Sequence, residues 1–176
     1  MGLAKLDNLP ADFNLPADSP QSEFSVLEIS GSFGKKLKVL RKEFDWLARF
    51  KGQITEDRLY SMDQLTIGNS SSVRGFKDYS AGGESGLYLQ NELGFPFSLN
   101  TAKGPVNFRP YLALDAGYVE NADEALASSA LVGFAAGLSV QFKQLSLTLD
   151  TAKSLEREEN MEEEGALSNF RVTVNF

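Results

Sequence analysis

The sequence contains neither cysteine nor histidine. It therefore has no disulfide framework, no thiolate or imidazole zinc site, and no catalytic triad that depends on either residue. The longest uninterrupted apolar stretch, 130–138, is far shorter than the roughly 18–20 residues that a transmembrane helix needs. We therefore expect no helical membrane span, no metal site and no cofactor.

Positive charge is also scarce, with 17 Lys and Arg against 24 Asp and Glu, for a formal charge of -7. A nucleic-acid-binding protein needs a basic face to gain affinity from phosphates, so no nucleic-acid partner is expected. Neighbouring carboxylates such as Glu158 and Glu159 lie in a charge run without a defined groove, and we predict no enzymatic activity. The length of 176 residues predicts one domain.

The N-terminal residues 1–21 are predicted to be an irregular lead-in. Half of the six prolines fall within 7–20, where they interrupt any regular element. The first residues also lack the charged region, apolar core and small-residue cleavage site of a secretory signal peptide. We therefore expect no such signal in this chain.

An alternating pattern is the strongest structural signal in the rest of the chain. From Phe170 to Phe176 every even-numbered residue is Phe or Val, and the odd-numbered residues are Arg, Thr and Asn. Similar alternation runs through 106–119, 130–142 and 145–150. Because successive side chains of a strand point to opposite faces, each segment has one apolar face and one small or polar face. The pattern predicts seven strands, at 22–31, 36–50, 85–96, 107–119, 129–142, 145–154 and 167–176.

The lengths of these strands favour a membrane barrel. They hold roughly 10–14 residues, against a mean of about 5–6 in soluble sheets, and a strand of about ten residues with one apolar face suits a tilted membrane span. A very short turn follows Phe142, whereas 51–84, 120–128 and 155–166 are long, and outer-membrane barrels alternate their connections in this way. We predict an all-β, antiparallel membrane barrel with about seven long meander strands. A soluble β-sandwich binding module is the alternative.

The acidic run 154–164 is the one segment that departs from the strand pattern. It contains strong helix formers, and Ser154 is a suitable N-cap. We interpret it as a solvated acidic loop with room for a short helix.

A tetrad in the longest connection carries a family resemblance. Residues 73–76 read Val-Arg-Gly-Phe, followed by Gly-Glu-Ser-Gly at 83–86 and Asn-Glu-Leu at 91–93. An Asp-x-Gly motif lies at 115–117, and the chain ends in Phe176. In this combination the sequence resembles the two-partner secretion transporters of the hemolysin secretion/activation family. It is more distantly similar to the BAM-type assembly proteins of the outer membrane.

The resemblance covers residues 22–176 and implies a fold. These residues would form the C-terminal half of an outer-membrane barrel, and the connection 51–84 would fold into the lumen as a plug. One position departs from the family pattern, because Gly68-Asn69 stands where the transporters have a pair of glycines before the tetrad.

The resemblance also implies a contact inside the lumen. In the family the arginine of the tetrad meets the aspartate of the Asp-x-Gly motif, so we expect an Arg74–Asp115 pair. Gly75 would allow close approach of the backbone, and Phe76 would pack on the inner wall. By alternation Glu92 shares the lumen face, which makes it a further candidate for this network. The motif residues are Val73, Arg74, Gly75, Phe76, Asp115 and Gly117.

The function implied by the resemblance is a pore component that exports a large, unfolded β-helical partner protein across the outer membrane of a Gram-negative bacterium. In the family two periplasmic POTRA domains capture the partner, and the barrel-insertion machinery reads a last strand that ends in Phe, here Phe176. Outer-membrane lipid would surround the strands. A BAM-type assembly barrel is the alternative function. The family has about sixteen strands, a signal peptide, a plug helix and POTRA domains, so we expect this chain to be a fragment.

Overall fold

The fold consists of β-strands in the part of the chain that the structure describes. The computed structural model describes residues 19–20, 23–121, 128–156 and 165–175. Within these ranges no helix is long and apolar enough to cross a membrane. The strands are β1 (Leu27–Val39), β2 (Lys42–Ile54), β3 (Leu65–Ile67), β4 (Ala81–Gly83), β5 (Ser85–Gly94), β6 (Phe97–Thr101), β7 (Gly104–Glu120), β8 (Ser129–Phe142), β9 (Leu145–Glu156) and β10 (Leu167–Val174).

Eight of these strands form one large antiparallel sheet. Its order is β1-β2-β5-β7-β8-β9-β10, and the short strand β6 pairs with β7. The predicted meander of seven long strands is therefore confirmed, and β6 adds a short hairpin that the pattern did not predict. The predicted turn after Phe142 is also present, at Lys143 and Gln144. Strands β3 and β4 pair separately inside the longest connection.

The first hairpin differs from the prediction. The pattern predicts strands at 22–31 and 36–50, but the turn lies at Leu40 and Arg41, between β1 and β2. Both turn residues have positive φ, 49° and 65°, which is the conformation of a two-residue hairpin turn that usually carries Asn or Gly. Leu40 and Arg41 are not residues that usually mark such a turn. The run Gly34-Lys35-Lys36 resembles a turn sequence, although it lies inside β1. Continuous pairing of β1 with β2 overrides that local signal.

Two other predicted segments have different bounds. The long connection begins at residue 55 and not at 51, because β2 continues to Ile54 through its pairing with β1. In the acidic run, Ser154 to Glu156 belong to β9. The rest of that run, most of the lead-in 1–21 and Phe176 lie outside the described residues.

The sheet has two chemically different faces. On β7 the even-numbered residues from Leu112 to Tyr118 are exposed, and the odd-numbered residues from Tyr111 to Val119 are buried. The register extends this alternation, because Leu112 pairs with Leu93 on β5 and with Ala136 on β8. We call the face with the even-numbered side chains of β7 the outward face. The face with its odd-numbered side chains is the inward face.

The main hydrophobic core lies between the inward face and the long connection. Val119 and Leu131 contribute from the sheet, and the other buried members come from the connection. The described ranges contain no second sheet of similar size, which a sandwich would need as its packing partner. The connection itself therefore covers the inward face. The buried members from the connection are Leu65, Ile67, Val73, Phe76 and Ala81.

Candidate loop-anchoring site

Residues 55–84, which we call the inner loop, fold back over the inward face. Within the inner loop, β3 and β4 both contact β7. Gln53, near the end of β2, is only 1% exposed. Its side-chain Nε2 donates hydrogen bonds to the carbonyl oxygens of Asp63 (3.0 Å) and Glu84 (3.1 Å). A single amide on the wall therefore ties the first part of the inner loop to its last residue.

The apolar side chains of the tetrad pack against the wall. Val73 and Phe76 belong to the core between the inner loop and the inward face. Gly117 provides space for them, because a Cβ atom at this position would lie 2.8 Å from Val73 Cγ2 and 3.0 Å from Ile67 Cγ2. Such distances are too short for ordinary carbon contacts. The glycine of the Asp-x-Gly motif thus accommodates the inner loop.

Two other glycines allow the backbone of the tetrad to approach the wall. Gly75 has a φ of 101°, and a Cβ atom there would clash with the backbone of Lys153 and Ser154 on β9. On β8, a Cβ atom at Gly133 would clash with the carbonyl oxygen of Arg74. The resemblance predicts close approach at Gly75. For Gly133 the pattern indicates only a small residue on the inward face, and its partner is visible only in the tertiary structure.

Arg74 and Asp115 meet at the centre of this contact. The Arg74 guanidinium donates from Nε to Asp115 Oδ2 (2.6 Å) and from Nη2 to Asp115 Oδ1 (2.8 Å). The backbone N–H of Arg74 donates to the same carboxylate at 3.2 Å. Two parallel bonds between a guanidinium and a carboxylate are a geometry that a lysine cannot reproduce. The side chain and the backbone of Arg74 are thus both attached to β7.

The pair is nearly dry, and Arg74 keeps its positive charge. Asp115 is 1% exposed and Arg74 is 8% exposed. Burial alone would lower the pKa of the Arg74 guanidinium, because it disfavours the charged form. The hydrogen bonds and negative charge of Asp115, and then those of Glu92, outweigh this effect and raise the pKa above its usual value. Arg74 therefore remains a cation at any physiological pH.

Three more side chains extend the pair along the inward face. Glu92 on β5 accepts a hydrogen bond from Arg74 Nη1 at 2.9 Å and another from Arg109 Nη1 at 3.1 Å. Arg109 on β7 also donates from Nε to Asp45 Oδ2 on β2 at 2.7 Å. The alternating pattern places Glu92 and Arg109 on the inward face. It contains no signal that Asp45 is the partner of Arg109, because the two residues lie far apart in the sequence.

A polar cavity of about 420 Å³ adjoins this network on the inward face. Its lining includes Arg49, Tyr111 and Asp150 together with Arg74 and Glu92. No group of acidic side chains that could hold a metal ion occurs in the described residues. The arrangement is suited to holding the inner loop on the wall by ionic hydrogen bonds, beside a water-accessible space.

Comparison with known proteins identifies the family. A family model described as "Haemolysin secretion/activation protein ShlB/FhaC/HecB" matches residues 2–140. This chain belongs to that family. The resemblance predicted from the tetrad and the Asp-x-Gly motif is therefore confirmed.

Several transporters are similar in sequence. Outer membrane transporter CdiB of Escherichia coli is 36% identical over 130 residues, which make up 73% of this chain and 21% of that protein. CdiB of Dickeya dadantii is 29% identical over 167 residues, 94% of this chain and 29% of that protein. Hemolysin transporter protein HpmB of Proteus mirabilis is 25% identical over 130 residues, 74% of this chain and 22% of that protein. The chain thus spans between 21% and 29% of these relatives.

Solved structures show the same fold. CdiB from Escherichia coli superposes with a TM-score of 0.81 at 31% identity, over 97% of this chain and 31% of that one. CdiB from Acinetobacter baumannii has a TM-score of 0.73 at 21% identity, over 85% of this chain and 27% of that one, and shows a likeness of fold alone. The predicted all-β, antiparallel fold of the transporter type is confirmed. The soluble sandwich is therefore ruled out.

Proposed function

We propose that this chain is part of the barrel of an outer-membrane transporter that exports a large, unfolded partner protein in two-partner secretion. Residues 22–176 form the C-terminal part of that barrel, and the inner loop lies in the lumen as a plug. The observation that carries the proposal is the buried Arg74–Asp115 pair, which fixes the tetrad to the inward face. The match to the secretion family favours this function over that of a BAM-type assembly barrel.

The outward face supports a location within the membrane. Large apolar side chains such as Leu112 and Leu114 are exposed there, as expected for strands that face lipid. Near the short turns, four phenylalanines form a continuous row with ring centroids 5.2 to 5.9 Å apart. Such a row is typical of the aromatic girdle at a membrane–water interface. Its members are Phe44, Phe95, Phe97 and Phe108.

The side chains of the inward face suit a conduit better than a reaction site. The cavity beside the ionic network is lined mostly by hydroxyl, amide and charged side chains, among them Ser139 and Thr148. These groups suit contact with water and with an extended polypeptide, and we propose no catalytic activity and no cofactor. The exported partner is a secreted β-helical protein, captured by POTRA domains of the complete transporter. The barrel-insertion machinery recognises the last strand with Phe176.

Charge reversal tests this proposal. Arg74→Asp, Asp115→Arg and the double variant would be made in the complete coding sequence that contains this chain, and export of the partner protein would be measured. Each single reversal places like charges together and should abolish most export, whereas the double variant should restore part of it. Lys103→Gln, at an exposed short turn, serves as the control. A double variant that exports no more than either single variant would refute direct pairing as the basis of the function.

A further inference from the structure

We infer that Arg109 is a positioning residue for the inner loop. Asp45 holds Arg109 across β5, in the space that is free because Gly94 has no side chain. Among the described residues, Arg109 makes no hydrogen bond or ion pair with the inner loop. It holds Glu92, which in turn binds Arg74. This inference rests on the proposed role of the inner loop as a plug, and it extends the anchor from β7 and β5 to β2.

As the first support, the two carboxylate oxygens of Glu92 bind two different arginines, which connects Arg109 to Arg74. Glu92 Oε1 accepts from Arg74 Nη1 at 2.9 Å, and Glu92 Oε2 accepts from Arg109 Nη1 at 3.1 Å. Each carboxylate oxygen therefore serves a different arginine. The charges alternate in sign along the series Asp115, Arg74, Glu92, Arg109 and Asp45. Without Arg109, Asp45 would lose its ion-pair partner, and Glu92 would lose one of its two restraints.

Gly94 is the second support. Strands β2 and β7 both flank β5, and Asp45 and Tyr111 are the two register partners of Gly94. A Cβ atom at Gly94 would clash with Asp45 Oδ1 and would lie 2.6 Å from Arg109 Nε. The ion pair between β2 and β7 therefore crosses β5 at an inward position that has no side chain. Any other residue at position 94 would occupy the space that the pair needs.

The environment of the pair is the third support. Asp45 Oδ1 is buried and has no hydrogen-bond partner among the described residues. Burying a carboxylate oxygen without a hydrogen bond costs free energy, and the cost is offset only where the other oxygen of the same carboxylate is held in an ion pair. For Asp45 that other oxygen is Oδ2, which binds Arg109. The Arg109 guanidinium also lies over the ring of Tyr111, 5.4 Å from its centroid. Arg109 is thus restrained from two sides, and its Nη1 donates to Glu92. Because β2 also carries Gln53, one strand fixes both the path and the anchor of the inner loop.

The experiment measures docking of the inner loop and not export. The chain has no native cysteine, so a nitroxide attached at Lys77→Cys, in the exposed part of the inner loop, gives a single signal. Spectra of the full chain in detergent micelles give the ratio of mobile to immobile label. Asp45→Asn, Arg109→Met and Gly94→Ala should each raise this ratio by roughly three- to tenfold, the lower part of the range for coupled residues. The matched control is Arg49→Met, which removes a different inward-facing arginine, on β2. This variant should leave the ratio unchanged.

The decisive comparison combines two variants. If Asp45 acts on the inner loop only through Arg109, Glu92 and Arg74, then Asp45→Asn should add nothing in an Arg74→Met background. A further rise in mobility in that background would overturn the inference, as would single variants that match Arg49→Met. Asp45→Asn preserves side-chain shape, so it keeps the test available even where Gly94→Ala prevents folding. Because docking is measured without export, a failed export experiment would leave this inference standing.

Discussion

Replacement of Asp115 by Asn tests how strongly the wall holds the inner loop. The carboxylate accepts three hydrogen bonds from Arg74, two of them from its guanidinium. Asn keeps the shape of the side chain but loses the charge, and it turns an amide donor toward a guanidinium donor. Removal of one partner of a buried ion pair costs about 3–5 kcal/mol. Because Glu92 still binds Arg74 and the cavity admits water, we expect the lower half of that range.

That free energy predicts a large change in the fraction of undocked inner loop. At about 1.4 kcal/mol per factor of ten, it corresponds to an increase of roughly 10²- to 10³-fold. Trypsin cleavage after Arg74 reports the undocked form, because this residue is only 8% exposed. Lys77, with a side chain 66% exposed, provides an internal reference site. When opening is fast relative to cleavage, the ratio of the two initial rates follows the undocked population.

Asp150→Asn is the matched control for Asp115→Asn. Asp150→Asn removes another inward-facing carboxylate, which accepts a hydrogen bond from Asn169 and, among the described residues, has no hydrogen bond or ion pair to the tetrad. Its cleavage ratio should equal that of the unmodified chain. A ratio for Asp115→Asn that rises less than threefold above this control would refute the claim that the Arg74–Asp115 pair holds the inner loop on the wall.

Three further changes address the space and the path of the inner loop. Gly133→Ala should displace the Arg74 carbonyl oxygen, with a cost of about 1–3 kcal/mol or more, and cleavage after Arg74 should rise at least about fivefold; a rise no larger than in Gly165→Ala, where the new methyl group meets nothing within 4 Å, would contradict this. Gly75→Ala combines a backbone clash with a positive φ and should lower the thermal midpoint for release of the inner loop more than Gly133→Ala does; an unchanged midpoint would show that the contact yields freely. Gln53→Met leaves two carbonyl oxygens without their donor and should cost about 1–3 kcal/mol, seen as faster amide exchange near residues 63 and 84, and equal exchange would argue against the amide as a tie.

Local pattern was sufficient for much of the sheet. Alternation predicted the inward position of Asp115 and Glu92 because the direction of a side chain depends only on its place along an extended backbone. The same reasoning failed at the first hairpin, where Leu40 and Arg41 adopt positive φ without the residues that usually mark such a turn. The pairing of thirteen residues of β1 with β2 decided the turn instead.

Some contacts that anchor the inner loop were likewise predictable from the sequence, and others were not. The Arg74–Asp115 contact followed from the resemblance, and the inward direction of Arg109 followed from the pattern. The partner of Arg109 did not, because Asp45 reaches it only through the strand order β2-β5-β7 and the register that puts Gly94 between them. Gly133 is a similar case, since its contact with Arg74 depends on where the inner loop crosses β8.

By itself, the sequence determined which residues form strands over most of the chain, which faces are apolar, and which family the tetrad indicates. These properties are local, because they depend on periodicity and on motifs within one segment. Only the tertiary structure decided which charged groups meet and which glycines are needed for space. Those contacts join residues from different strands, and the register of the whole sheet sets the distance between them.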